Sequence, residues 1–219
     1  MLPRHFETGI PAGKLLLDGV FTVPPQARGV VVFAHGSGSS RHSPRNIHVA
    51  EVLQRDGIAT LLFDLLTRHE DRDYDMRFNI GLLTERLLAA TDWLLQRDET
   101  RNLPIGYFGA STGAAAALRA AAKLPQIAAV VSRGGRPDLA GFRSLEAVTS
   151  PTLLVVGGND DVVIELNRQA LIQMKCDKEL VIVPGASHLF EEPGTLDAAA
   201  QHASGWFSRW FNAATHTAG

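Results

Sequence analysis

The sequence has 219 residues, 45% of them hydrophobic, which is enough for one domain with a substantial core. A net charge of −2 and a pI near 6.4 argue against a general nucleic-acid binder, and no stretch approaches the roughly 20 apolar residues that span a bilayer. The single cysteine, Cys176, excludes an internal disulfide and the start lacks a secretory signal, so we expect a single cytoplasmic domain over residues 1–219 with neither a membrane nor a nucleic-acid partner.

The predicted elements alternate between strands and helices along the chain. An opening hairpin at 14–23, turning at Asp18-Gly19, precedes predicted strands at 29–34, 59–64, 103–108, 128–132, 152–156 and 180–183. Helices are predicted at 46–56, 80–96, 111–123, 164–174 and 196–211, an irregular charged segment at 67–78, and a frayed end at 213–219. This alternation predicts a mostly parallel sheet with helices on both faces and no large cap domain.

A Gly-x-Ser-x-Gly pentapeptide at 109–113 lies between an apolar run and an alanine-rich helix. A serine in that context occupies a strand-to-helix turn so tight that only glycine fits on either side, with its hydroxyl held at the carboxyl edge of the sheet. The alternative is that Ser111 is an ordinary helix N-cap, but a cap needs no flanking glycines. We therefore predict that Ser111 is a nucleophile.

A serine hydroxyl needs a base, and the base needs a group that orients it. Asp160 and Asp161 follow the strand at 152–156, and His188 follows the strand at 180–183. The carboxyl ends of parallel strands meet at one edge of a sheet, so these side chains should lie near Ser111. Either aspartate could hold the imidazole of His188, because both lie on the same turn.

Four motifs together resemble the dienelactone-hydrolase-like branch of the α/β-hydrolase superfamily, over nearly the whole chain: His35-Gly36, the pentapeptide at 109–113, Gly-Gly-Asn-Asp at 157–160 and Ala-Ser-His-Leu-Phe-Glu-Glu-Pro at 186–193. The resemblance implies an α/β-hydrolase fold with Ser111 as nucleophile, Asp160 as acid and His188 as base. Dienelactone hydrolases carry a cysteine nucleophile where this chain has serine, so acyl transfer to water is implied but lactone specificity is not. Related domains also occur fused behind phosphoribosyltransferase domains, and we expect no such domain in this chain.

An oxyanion hole requires two backbone N–H groups that point at the developing negative oxygen. One should come from Thr112, directly after the nucleophile, and the other from the loop after the third strand, where the resemblance selects Ser37. We predict neither a metal nor a cofactor, because the loop histidines show no compact metal-ligand spacing: His42, His48 and His69.

Two pairs of arginines are predicted to lie near the same edge of the sheet. Arg41 and Arg45 follow the predicted oxyanion loop, and Arg133 and Arg136 follow the strand at 128–132. Together they could hold an anionic part of a substrate. The alternative is that they are exposed and paired with acidic side chains: Asp138, Glu146 or the loop at 70–75.

The function predicted from these features is hydrolysis of small carboxylic esters or lactones through an acyl-enzyme on Ser111. The same three side chains would also serve an acyltransferase, a thioesterase or a perhydrolase, and a non-catalytic interaction domain of the same fold is a further alternative. Because no cap supplies an apolar wall, we expect a preference for short or compact acyl groups, unless Leu65, Leu66 and Tyr74 fold inward to form a groove.

Overall fold

The computed structural model describes residues 2–217, and an eight-stranded sheet lies at its centre. In chain order the strands are β1 (Arg4–Ala12), β2 (Leu15–Val23), β3 (Val30–Ala34), β4 (Ala59–Phe63), β5 (Ile105–Ala110), β6 (Ala129–Arg133), β7 (Thr152–Gly157) and β8 (Lys178–Val183). Their order across the sheet is β1-β2-β4-β3-β5-β6-β7-β8. Strand β2 runs antiparallel to both of its neighbours, whereas β3 to β8 are mutually parallel. The predicted mostly parallel sheet is therefore confirmed.

Helices cover both faces of this sheet. They are α1 (Pro44–Arg55), α2 (Tyr74–Arg77), α3 (Ile80–Leu95), α4 (Thr112–Lys123), α5 (Phe142–Ala147), α6 (Asp161–Gln173) and α7 (Thr195–Thr217). Helices α1 and α7 pack against each other on one face, while α3, α4, α5 and α6 lie on the other. No cap domain is inserted between the described strands, and the arrangement is that of an α/β-hydrolase fold.

The sequence of β3 is apolar without interruption because both faces of the strand are buried. Val30 and Val32 point into the core shared with α3 and α4, whereas Val31 and Phe33 point into the core shared with α1 and α7. A parallel strand with helices on both faces must be hydrophobic on both. The buried alanines of α4 let that helix lie close to the sheet, which brings its amino end against the ends of β3 and β5.

The opening hairpin differs from the prediction. Its turn lies at Gly13-Lys14, where Gly13 has φ +63°, and the Asp18-Gly19 pair predicted to form the turn lies inside β2. Gly19 packs closely against the neighbouring strand instead, because a Cβ there would lie 3.2 Å from the Cβ of Phe63. Strand β1, which was not predicted, pairs with β2 along its whole length.

Three further segments depart from the predictions. The charged stretch at 67–78 contains a 3₁₀ turn, Glu70–Arg72, and the short helix α2. A 3₁₀ turn at Pro137–Ala140 and helix α5 were not predicted. Helix α7 continues to Thr217 through most of the predicted frayed end, and positions 218–219 lie outside the described residues.

Within residues 2–217, no helix combines the length and the apolar character that crossing a bilayer requires.

Candidate active site

Ser111 occupies the turn between β5 and α4 in a backbone conformation that side chains rarely adopt, with φ +50° and ψ −120°. A Cβ on Gly109 would lie 2.4 Å from the Cα of Ala114, and a Cβ on Gly113 would lie 2.1 Å from the carbonyl oxygen of Ala34. Both flanking positions therefore require glycine. The strained residue between them carries the hydroxyl, a combination that is typical of functional sites.

His188 lies in the loop after β8, and its Nδ1 is 2.6 Å from Oδ2 of Asp160, which lies between β7 and α6. A carboxylate is an acceptor only, so Nδ1–H donates to Asp160 and Nε2 keeps the lone pair that can accept a proton. The carboxylate side chain is 15% exposed and the imidazole 40%. Asp161 is exposed and is the first residue of α6.

The two turns that carry these side chains are hydrogen-bonded to each other. Asn159 donates from its backbone N–H to the Ala186 carbonyl at 2.9 Å and from its side-chain amide to the Gly185 carbonyl at 3.0 Å. A Cβ on Gly157 would lie 2.5 Å from the Ala186 carbonyl oxygen, so glycine permits this approach. The Gly-Gly-Asn sequence before Asp160 thus fixes the acid turn against the histidine turn.

Ser111 and His188 line the same cavity, which has a volume of about 180 Å³. In this structure the Ser111 hydroxyl makes no hydrogen bond with any residue of the described range 2–217. Catalytic hydrogen bonds of this kind are often long before a substrate binds and shorten in the complex. Such a bond between Ser111 and His188 would join two side chains that already line one cavity.

The loop after β3 packs directly against Ser111. A Cβ on Gly36 would lie 3.2 Å from the Cβ of Ser111, and the next residue, Ser37, lines the cavity. Thr112 is buried behind Ser111 as the first residue of α4, where a backbone N–H has no acceptor within the helix. The structure thus brings the loop with Ser37 and the helix amino end with Thr112 to the same serine.

The side chain of His35 holds the loop after β3 through two hydrogen bonds. It is buried, and its Nε2 accepts a hydrogen bond from the Leu65 N–H at 3.0 Å, so its proton lies on Nδ1 and is donated to the Gly36 carbonyl at 2.9 Å. Burial is the main cause that lowers the pKa of His35 below its ordinary value. A neutral imidazole therefore joins the loop after β3 to the turn after β4.

Arg45 and Arg133 are the two predicted arginines that line the cavity. Arg133 is only 6% exposed, contacts the side-chain oxygen of Asn46 at 3.4 Å, and lies over the ring of Phe190 at 5.6 Å. Across residues 2–217, no carboxylate forms an ion pair with it. Burial, and secondarily the charge of Arg45, lower the pKa of Arg133 to about 10. A buried cation without a counter-ion is costly for a fold and marks a candidate ligand contact.

Arg41 and Arg136, which were predicted to join this site, are not among the residues that line the cavity. Arg41 forms an ion pair with Asp64 and has Asp18 as a second partner at 3.6 Å. Arg136 holds Asp138 with two hydrogen bonds of 2.9 and 2.7 Å, and these raise its pKa. Both guanidinium groups are neutralised by carboxylates of the protein itself, so the predicted four-arginine site is reduced to Arg45 and Arg133.

Sequence reasoning did not single out Asn46, Phe190 or Glu192. Asn46 follows Arg45 at the start of α1, and only its position beside a predicted ligand contact could have suggested it. Phe190 and Glu192 were visible within the motif at 186–193, but nothing in the sequence separated their roles. Within the described part of the chain, no group of three or more His, Cys, Asp or Glu side chains is placed to hold a metal ion.

Comparison with known proteins agrees with this architecture. The model of the dienelactone hydrolase family matches residues 17–215. A crystal structure of dienelactone hydrolase from Anabaena variabilis is 55% identical with a TM-score of 0.93, covering 96% of this chain and 99% of that one. Est1E from Butyrivibrio proteoclasticus shares the fold at 18% identity, with a TM-score of 0.80 over 94% of this chain and 99% of that one.

A Mycobacterium tuberculosis protein with the provisional name of a phosphoribosyl transferase is 58% identical over 207 residues, or 93% of this chain. Those residues are 46% of that protein, so the chain spans about half the length of this curated relative. The family model and the Anabaena structure both extend over nearly all of the sheet and its helices. The chain belongs to the dienelactone hydrolase family.

Proposed function

We propose that this protein is a serine hydrolase that cleaves small carboxylic esters or lactones through an acyl-enzyme on Ser111. The observation that carries the proposal is that His188, bonded through Nδ1 to Asp160, lines the same cavity as a serine on a strained glycine-flanked turn. Membership of a hydrolase family supports the same reaction class. The transferase name belongs to a relative more than twice as long, and the proposal for this cavity does not use that name.

The reaction proceeds in two half-reactions. His188 Nε2 accepts the Ser111 proton as the serine oxygen bonds to the substrate carbonyl carbon, and Asp160 stabilises the imidazolium that forms. The backbone N–H groups of Ser37 and Thr112 donate to the tetrahedral oxyanion. When the carbon–oxygen bond to the leaving alcohol breaks, His188 returns the proton to that alcohol. A water molecule then attacks the acyl-enzyme with the same proton relay and releases the acid and free Ser111.

Arg45 and Arg133 give this site its substrate preference in our proposal. Both line the cavity beside Ser111, and Arg133 has no carboxylate partner in residues 2–217. An anionic group on the substrate would supply the missing charge through hydrogen bonds to the guanidinium. Esters or lactones that carry a negative charge near the scissile bond should therefore be preferred.

The nucleophile is tested by Ser111→Ala, with Ser39→Ala as the matched control because Ser39 also lines the cavity. Turnover is measured on a panel of esters, thioesters and lactones, with circular dichroism to show that both variants fold. The triad acts as one unit, so S111A should lose roughly 10⁴-fold or more while S39A stays within about tenfold of wild type. An S111A variant that keeps a tenth of the turnover would remove Ser111 from the mechanism.

The role of Arg133 is tested with a pair of esters that differ only in a carboxylate or a methyl ester on the acyl part. Arg133→Gln should lower kcat/KM for the charged ester about 10- to 100-fold more than for the neutral one, the size of a lost charge-assisted hydrogen bond. Arg136→Gln is the matched control, because Arg136 is already paired with Asp138. Equal losses of R133Q on both esters would contradict an anion-binding role.

A further inference from the structure

The turn that carries His188, residues 187–192, is closed by the side chain of Glu192. Its Oε2 accepts the backbone N–H of Ser187 at 2.9 Å, and Ser187 comes directly before His188. The main-chain carbonyl of Glu192 accepts the Thr195 hydroxyl at 2.7 Å and the Thr195 N–H at 3.1 Å, where α7 begins. Glu192 thus joins the histidine turn to the first residue of a long helix.

The histidine turn has a backbone that must be held from outside. Phe190 adopts φ +56°, which is rare for a bulky residue, and its N–H donates to the Ser187 carbonyl at 3.2 Å. The Phe190 side chain is 2% exposed and belongs to the core beneath α1 and α7. Such a conformation persists only where the surrounding contacts determine it. The Glu192 hydrogen bond spans the strained residue and is one of those contacts.

The charge of Glu192 favours this contact. The Ser187 backbone N–H is the first cause that lowers the pKa of the Glu192 carboxyl below its ordinary value, and the residue's own N–H and the Ser187 hydroxyl act in the same direction. The turn is therefore bonded to the ionised carboxylate at neutral pH. Hydrogen bonds to ionised acceptors are shorter and stronger than those between neutral groups.

Two hydrogen bonds thus set the position of His188, one at its ring and one at the main chain before it. Asp160 holds the ring at Nδ1, and Glu192 holds the main chain one residue earlier. Gly134 lies close against this residue, since a Cβ there would lie 3.2 Å from the His188 carbonyl oxygen and 3.6 Å from its ring. Releasing the backbone contact would let the whole residue shift and would disturb its hydrogen bond to Asp160.

We propose that Glu192 is a positioning residue that sets the distance between the His188 imidazole and Ser111 by fixing the histidine turn. It touches neither the substrate nor the reacting atoms. The inference rests on the proposed function, in which His188 is the base. Its consequence is a larger effect on the chemical step than on substrate binding, since most of the cavity wall, including Arg45 and Arg133, lies outside the histidine turn.

The test compares Glu192→Met with Glu192→Gln, two side chains of nearly equal length of which only glutamine keeps an acceptor oxygen. Glu191→Met is the matched control, because Glu191 is exposed and adjacent. Steady-state kinetics on the best ester give kcat and KM, and proton NMR follows the His188 Nδ1–H resonance without any turnover. If E192M does not fold, Glu192→Ala removes the acceptor instead.

We expect E192M to lower kcat about 10- to 100-fold with little change in KM, the cost of misplacing a catalytic group by about 1 Å. It should also shift or broaden the His188 Nδ1–H signal, whereas E192Q and E191M should stay within about threefold of wild type in kcat with the signal retained. A wild-type kcat and an unchanged signal in E192M would overturn the proposal, as would an E192Q variant damaged as much as E192M. An active S111A variant would overturn the hydrolase mechanism alone, since the NMR comparison does not depend on it.

Discussion

At the scale of single residues, the sequence left two aspartates open as the acid, and the structure separates their environments. Asp160 lies 2.6 Å from the His188 Nδ1, whereas Asp161 begins α6 and is exposed. Only the first is positioned to hold the imidazole in the tautomer whose Nε2 is free to accept a proton.

Asp160→Asn should therefore lower kcat by on the order of 10³- to 10⁴-fold, because an amide in place of the carboxylate favours the wrong imidazole tautomer and cannot stabilise its charged form. Asp161→Asn is the matched control on the same turn and should stay within a few-fold of wild type. Both are measured as kcat on one ester at neutral pH. A larger loss in D161N than in D160N would reverse the assignment.

His35 makes folding stability depend on pH. Burial lowers the pKa of His35, so the unfolded chain takes up a proton near its ordinary value of about 6.5 while the folded protein does so only at lower pH. The contribution of the neutral imidazole to the free energy of unfolding is therefore fully present above about pH 6.5 and is lost as the pH falls below it.

Urea unfolding between pH 7.5 and 5 should accordingly show a weaker pH dependence in His35→Gln than in wild type, by up to about 1.4 kcal/mol per pH unit. His42→Gln, which changes an exposed loop histidine, should keep the wild-type dependence. Identical pH profiles for H35Q and wild type would show that His35 is not held neutral by the fold.

The residues predicted from sequence share one property, which is that their position follows from where a strand ends. Ser111, Asp160 and His188 each follow a strand with an apolar run, of which β5 and β7 are buried throughout and β8 is mostly exposed or half-buried, so the sequence places all three at one edge of the sheet. Which of the predicted arginines form ion pairs within the protein could not be derived in this way. Arg41 meets Asp18 and Asp64 from distant parts of the chain, and these contacts exist only once the sheet has formed.

At the scale of secondary structure, the strand-turn-helix unit around Ser111 is stable only if backbone segments pack very close together. The unit consists of β5, the turn at Ser111 and α4. Gly113 lies on α4 with its Cα facing the Ala34 and His35 carbonyl oxygens, and a Cβ would lie 2.1 and 2.6 Å from them. Backbone atoms cannot move aside as a flexible side chain can. The glycines of the pentapeptide are therefore required by packing as well as by the turn.

Gly113→Ala should lower the free energy of unfolding by about 1 to 3 kcal/mol or more, because the added methyl group overpacks the helix against the strand ends. Gly205→Ala is the matched control in α7, where no atom lies within 4 Å of the added Cβ. That change should instead raise stability by about 0.5 to 1 kcal/mol. Urea denaturation measures both, and a neutral G113A would contradict the close approach of α4 to β3.

The elements that sequence reasoning missed share a different property. Strand β1 lies at the edge of the sheet, and its inward positions Phe6, Thr8, Ile10 and Ala12 include a polar and a small residue, so the apolar alternation is too weak in the sequence to indicate a strand. Helix α5 has six residues, too few for a helical period to be read. Their structure comes from tertiary contacts, β1 with β2 and α5 with α4 and α6.

At the scale of the whole molecule, the active-site cavity opens at the carboxyl edge of the sheet without a cap above it. Its volume is about 180 Å³, and its apolar lining includes Ala110 and Leu189. The alternative groove from the sequence does not form, because Leu65 and Leu66 are buried in the core and Tyr74 is 67% exposed. Long alkyl chains have little apolar surface to contact here.

Lengthening the acyl chain of p-nitrophenyl esters from acetate to laurate should therefore give little gain in kcat/KM and then a decline. A fully buried methylene contributes about 0.8 kcal/mol, or about fourfold in binding, only where an apolar wall receives it. A steady rise through the longest chains would show that the 67–78 segment or another surface provides such a wall.

Covalent labelling with a fluorophosphonate tests the central claim most directly, because the reagent bonds only to a serine activated by a neighbouring base. The protein is incubated with the reagent, peptide mass spectrometry locates the adduct, and residual ester turnover is measured on the same sample. One adduct per chain on Ser111, with turnover falling in proportion to labelling and neither effect in the folded S111A variant, is the predicted result. An unlabelled folded wild-type protein, an adduct on another serine, or full turnover after complete labelling of Ser111 would contradict the account.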